Sequence, residues 1–129
     1  MAKSPLPKPT EGELAILRVL WERGPSTVRE VQSELEPQRR TGYTTTLKLM
    51  QIMLEKGLLC RDESQRTHVY KAAVSRDKTQ RQMVGQLLDQ VFAGSAQQLV
   101  LAALSSQPSS PAELAEIRKL LDQLERGTP

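Results

Sequence analysis

The form T-x-x-E occurs twice in close succession, at Thr10 to Glu13 and at Thr27 to Glu30. In this capping box the threonine hydroxyl and the glutamate carboxylate reciprocally satisfy amides that a helix start leaves unpaired. Each pair therefore opens a helix. Between them stands Gly24-Pro25, which closes the first one, because glycine accepts the left-handed cap and proline cannot continue a helix. Leu14, Leu17, Leu20 and Trp21 give the first helix its apolar spacing, and Val28, Val31 and Leu35 give one to the second. The second is short and stops before Pro37.

A third helix is predicted from about Tyr43 to Lys56, with Gly57 past its end. Thr46, Leu49, Met50 and Met53 form its inward stripe at i, i+3, i+4 and i+7. Its other side carries Thr44, Thr45, Lys48 and Gln51. No acid occurs from Pro37 through Leu54, whereas an ordinary exposed helix mixes signs. Next, Leu58 to Asp62 and Thr67 to Ala72 read as two strands around the polar turn Glu63 to Arg66, a hairpin.

After Ser75 only helix signals remain. Ser75 caps a helix through Phe92, ended by Gly94, and a short helix runs from Ser95 to about Leu104. Ser110-Pro111-Ala112-Glu113 then opens a last helix with a cap serine, proline at the first turn and glutamate at N3. That helix stops at Gly127. The fold class expected is mainly α: a winged helix-turn-helix over residues 1–75, with 1–9 as a flexible arm, followed by a helical dimerisation domain over 76–129.

Aromatic residues are only 3% of the 129-residue chain, so the core must be built from Leu, Val, Ile, Met and Ala. No apolar run approaches the ~20 residues of a membrane span, and the start carries no apolar signal segment. The single cysteine, Cys60, cannot form an internal disulfide, so a cytoplasmic setting is expected. Cys60 is expected to pack as a small apolar side chain and Trp21 to sit in the core. One cysteine and one histidine, His68, do not make a metal site, and no cofactor is expected. Nucleotide-binding glycine loops, zinc-helix motifs and a nucleophile elbow are all missing, which argues against an enzyme. Residues 1–75 hold 12 Lys/Arg against 9 Asp/Glu, and residues 76–129 hold 6 against 6. The whole positive excess therefore lies in the first part, as expected if that part faces a polyanion.

The third helix of a winged helix is of a size to enter the DNA major groove. Tyr43, Thr44, Thr45, Lys48 and Gln51 are the candidates on it. Thr44 and Thr45 are short donors for phosphate or a thymine methyl, and Lys48 and Gln51 reach base edges. Arg39 and Arg40 suit phosphates beside the groove, and Arg66 and His68 lie on the wing. The alternatives are that the threonines cap the helix, that Lys48 and Gln51 form a solvated face, and that His68 is an ordinary surface residue. Apolar residues Leu87, Leu88, Val91, Phe92, Leu99, Val100, Leu114, Ile117, Leu121 and Leu124 exceed what one thin helical layer buries, and a two-fold dimer covers the remainder. Folding back onto the N-terminal domain is the alternative. A winged-helix module that docks proteins and not DNA is the other functional class, against which the acid-free stretch argues.

The segments TEGELAILRVLWERGPSTVREV, GYTTTLKLMQIMLEKGLL and RTHVYKAAVSRD, in this order and spacing, resemble the BlaI/MecI/CopY family of penicillinase-type repressors from about Pro9 to Glu125. The resemblance implies a homodimeric repressor on a palindromic DNA operator, released in some branches when a membrane sensor-protease leads to its cleavage. It also implies DNA reading by Thr44, Thr45 and Lys48, with Arg66 on the wing. Three departures stand out. Ile52 occupies a position where the penicillinase branch tends to carry arginine. The cleavable Asn-Phe pair of that branch is absent near Leu101-Ala102-Ala103. The C-terminal cysteine cluster of the copper-responsive branch is absent too.

Overall fold

A computed structural model describes residues 8–127. The element order is α1 (Glu11–Arg23), α2 (Val28–Leu35), α3 (Tyr43–Lys56), β1 (Leu59–Asp62), β2 (Val69–Ala72), α4 (Arg76–Gln90), α5 (Ala96–Ser106) and α6 (Pro111–Glu125). The chain forms two compact units, 1–83 and 84–129, which divide within α4. The expected arm lies for residues 1–7 outside the described residues; Pro9, expected to belong to it, is buried.

Both threonine capping boxes form in the first unit. The amides of Thr10 and Thr27 donate to Glu13 and Glu30 at 3.0 and 2.9 Å, and the threonine hydroxyls accept from the glutamate amides at 3.2 Å. Ile16, Leu17 and Leu20 of α1 meet Val28, Val31 and Leu35 of α2 and Met50 and Met53 of α3 in one core, closed below by Leu58, Leu59 and Tyr70. Gly57 at φ +85° turns α3 directly into the hairpin. The Leu58 amide still donates to the Met53 carbonyl at 2.9 Å, so Leu58 belongs to the helix cap and β1 begins one residue later than expected. β2 likewise begins at Val69 and not at Thr67, leaving Thr67 and His68 exposed in the wing loop.

The hairpin is antiparallel, with Leu59 opposite Ala72 and Asp62 opposite Val69. Ser26, in the turn between α1 and α2, exchanges two backbone hydrogen bonds with Tyr70 at 2.9 and 2.8 Å. The wing is thereby fastened to the helical part by main chain as well as by packing. Strand alternation overturns the expectation for Cys60: Leu59 faces the core, so its neighbour Cys60 faces outward and is exposed. Trp21 is half-buried against the core, and its Nε1 donates to the Val74 carbonyl at 3.0 Å while the Arg76 guanidinium lies 5.8 Å from the ring centre.

Glu13 is a second fastening. Its carboxylate is 2% exposed and accepts from Lys56 Nζ at 2.8 Å, tying the start of α1 to the end of α3. Burial opposes ionisation, yet hydrogen bonds from Lys56 and the Thr10 amide, with the lysine charge, outweigh it and hold the carboxyl below its ordinary value. A carboxyl lowered on folding stabilises the protein above its unfolded value, and that contribution is lost as pH falls through the lower folded value. Glu13→Gln is therefore expected to lower stability at neutral pH by about 1–3 kcal/mol, because it strands Lys56 without its charged partner. The difference from the parent protein should shrink on acidification, as read by urea unfolding at neutral and acid pH. A difference that is constant with pH would show that the charge contributes nothing.

In the second unit Ser95 and Ser110 cap α5 and α6: each hydroxyl accepts an amide, from Gln98 at 3.2 Å and from Glu113 at 3.1 Å. Ala93 at φ +50° and Gly94 at φ +81° make the sharp connection from α4 to α5. No residue of α5 or α6 is buried.

Candidate nucleic-acid interface

Gly42 is the N-cap of α3 and offers no side-chain cap. Thr44 and Thr45 are exposed in the first turn and do not cap the helix, whereas Thr46 turns inward and donates to the Gly42 carbonyl at 3.0 Å. Lys48 and Gln51 continue the exposed side one and two turns on. Burial of Thr46, Met50 and Met53, with Leu49 half-buried, fixes which side of α3 faces the core. The same helix therefore presents Thr44, Thr45, Lys48 and Gln51 outward as one surface of hydroxyl, ammonium and carboxamide groups, with no acid before Glu55.

Beside this surface lies a cleft of about 480 Å³ between the start of α2, the start of α3 and the wing. Tyr43, Arg66 and His68 meet there, as do Thr27, Arg29 and Thr67, and no carboxylate lines it. Arg29 was not singled out in the sequence. Its guanidinium lies 5.1 Å from the centre of the Tyr43 ring. The signal that points to it is its place: it follows the buried Val28 in the first turn of α2, on the side away from the core.

Several acids of this unit are paired away from the cleft. Arg23 pairs with Glu30 at 3.1 Å and with Glu34 at 3.6 Å, and Arg61 Nε donates to Glu63 at 2.8 Å. The Thr27 amide and then Arg23 hold the Glu30 carboxyl below its ordinary range. In the wing loop the Ser64 amide donates to Asp62 Oδ1 at 2.9 Å and lowers that carboxyl likewise. Among the described residues Arg40, Lys48 and Arg66 make no ion pair. Arg40 is exposed beside Thr41 and Gly42 at the start of α3. Arg39 is placed apart from these: it pairs with Glu11 at 3.4 Å and lines a different cleft, between α1 and α2.

The sequence model of the penicillinase repressor family matches residues 9–123. This chain belongs to the penicillinase repressor family. Members of this kind are regulators and not enzymes. The transcriptional regulator BlaI of Mycobacterium tuberculosis is 28% identical over 116 residues, which cover 89% of this chain and 83% of that protein. The solution structure of the DNA-binding domain of the repressor BlaI aligns with a TM-score of 0.50 at 22% identity, covering 57% of this chain and 90% of that one. The Bacillus licheniformis BlaI monomeric form, in complex with the blaP half-operator, aligns with the same score and identity over 89% of its length. The likeness establishes the winged-helix fold over the 57% of the chain that it covers.

In the second unit the expected dimerisation residues divide by exposure. Leu87, Val91, Val100, Leu114, Leu121 and Leu124 are exposed, and Leu88, Phe92, Leu99 and Ile117 are half-buried. Leu124 is 64% exposed and Leu121 52%. Among the described residues no group of His, Cys, Asp and Glu is gathered that could hold a metal ion, and no helix is long and apolar enough to cross a membrane.

Proposed function

We propose that this chain is a cytoplasmic DNA-binding transcriptional repressor that acts as a homodimer on a palindromic operator. The outer side of α3 from Thr44 to Gln51, which carries no acid, supports the proposal: it sets Thr44, Thr45, Lys48 and Gln51 beside a wing whose Arg66 has no acidic partner among the described residues. Family membership and the half-operator bound by the Bacillus licheniformis relative support the same reading. On it, α3 lies in the major groove, Lys48 and Gln51 meet base edges, and Tyr43, Thr44, Thr45, Arg40, Arg66 and His68 meet the backbone. Arg39 is first held by Glu11 and reaches phosphate only by leaving that pair.

The exposed Val100, Leu101, Leu104, Leu114, Leu120, Leu121 and Leu124 of α5 and α6 support the dimer, since apolar side chains gathered on a surface mark interaction sites. Release of the operator follows from uncoupling the two DNA-binding units, through a sensor-protease or a comparable signal acting on the C-terminal helices. Leu101, Ala102 and Ala103 lie inside α5, without the Asn-Phe pair of the penicillinase branch.

Lys48→Ala is expected to relax base preference at one position per half-site and to cost about 1–3 kcal/mol there. Binding to a randomised operator library, sequenced before and after selection, reads this out. A uniform loss across all sequences would make Lys48 a phosphate contact. A full-length chain without salt-dependent retention on duplex DNA would overturn the repressor reading in favour of a protein-docking module.

A further inference from the structure

We propose that Arg29 and Tyr43 form a clamp for one phosphodiester of the DNA backbone, closed from the other side by Arg66 of the wing. The proposal rests on the repressor reading and adds α2 to the contact surface. The cleft that holds these three residues has no carboxylate on its walls. Arg29 has no ion-pair partner among the described residues, although its neighbour Glu30 is paired with Arg23. An exposed arginine on a cleft without carboxylates, whose neighbouring acid is already paired, is free to take an external anion.

The ring contact explains how it is held ready. A guanidinium over an aromatic face keeps its edge N–H groups free while the face is occupied, and that edge matches two phosphate oxygens at once. Tyr43 is the first residue of α3, so the ring that orients Arg29 is set by the helix that enters the groove. Tyr43 is in this sense a positioning residue. Arg66 stands across the same cleft on an element fastened to α2 through Ser26 and Tyr70. A single phosphate entering there meets two guanidinium groups delivered by separate elements. The spacing between the helix surface and the wing then fixes the register of the protein along the duplex.

A phosphate contact is blind to sequence, so a short duplex of random sequence is a sufficient probe, titrated with the full-length chain over a range of salt concentrations. Arg29→Ala should flatten the slope of log affinity against log salt by about 0.9 unit and weaken binding about fivefold to tenfold near 0.1 M salt. Tyr43→Phe should retain the parent slope, because the ring is kept. Tyr43→Ala should move part of the way towards Arg29→Ala, and Arg29→Lys should recover the slope but not all the affinity. Neutral methylphosphonate placed at single backbone positions of a defined duplex should then harm the parent protein most at the clamped position, Arg29→Ala less because Arg66 alone still meets that phosphate, and the Arg29→Ala, Arg66→Ala double variant not at all. Parent-like slope and affinity for a folded Arg29→Ala would overturn the clamp and leave the repressor reading standing. Failure of the parent protein to bind duplex DNA in a salt-dependent way would overturn the repressor reading itself, and the clamp with it. Circular dichroism of each variant separates both results from loss of fold.

Discussion

Adding about five base pairs between the two halves of the operator should reduce affinity by roughly 10²- to 10⁴-fold, to the level of one DNA-binding unit on one half-site. The insertion is half a helical turn, so it carries one half-site to the opposite side of the duplex. Two recognition helices joined by a two-fold contact cannot then both reach a groove. Linked binding makes the second contact effectively intramolecular, and that advantage is what the insertion removes. Restoring a whole turn should restore most of the affinity. Sedimentation of the chain alone should accompany the measurement and give twice the 14.4 kDa monomer mass. Unchanged affinity after the half-turn insertion would rule out a rigid two-fold arrangement, and a monomer at micromolar concentration would rule out the proposed seam of α5 and α6.

The second large effect concerns stability. Leu17 is wholly buried where α1 meets the rest of the first unit, and no aromatic ring in that core besides Tyr70 is buried alongside it. Leu17→Ala removes several methyl and methylene groups and leaves a hole that aliphatic neighbours fill only in part. A loss of about 2–5 kcal/mol in the unfolding free energy of the first unit follows. For a domain of this size that is a large share of the ~5–15 kcal/mol total. Urea denaturation followed by circular dichroism checks it, and a loss below about 1 kcal/mol would mean that the core closes over the gap. DNA binding by the variant at low temperature should persist, since Leu17 does not reach the cleft between α2 and the wing.

Local chemistry made most of the elements legible before the structure was known. The three capping boxes at Thr10, Thr27 and Ser110 need only neighbours three residues away, and all three form. The periodic stripe of Thr46, Met50 and Met53 likewise belongs to one helix and was read correctly. What failed or went unseen depended on partners far along the chain. Cys60 is outward because Leu59 is the residue that meets the core, a choice made by the packing of the whole hairpin. Ser26 joins Tyr70 across more than forty residues, and its side chain carries no pattern that announces a strand. Arg29 matters only once folding brings Tyr43 over to it. Arg39 looked equivalent to Arg40 in sequence, yet the turn after α2 sends it towards Glu11, while its neighbour lines a separate cleft with Thr41 and Gly42, just before α3. The outward set on α3 was readable because the inward set was.

Trp21 is the only tryptophan in the chain, and its ring sits where the hairpin gives way to α4, bonded to Val74 and covered by Arg76. The protein therefore carries a single tryptophan reporter, excitable apart from its two tyrosines, where the hairpin passes into α4, the helix within which the two units divide. The ring's emission depends on how wet and how polar its surroundings are. Loosening of residues 74–76 changes its emission, while events confined to the far ends of α5 and α6 leave that emission unaltered. Unlabelled protein can thus be watched in real time for whether a releasing signal travels through this joint or stops short of it.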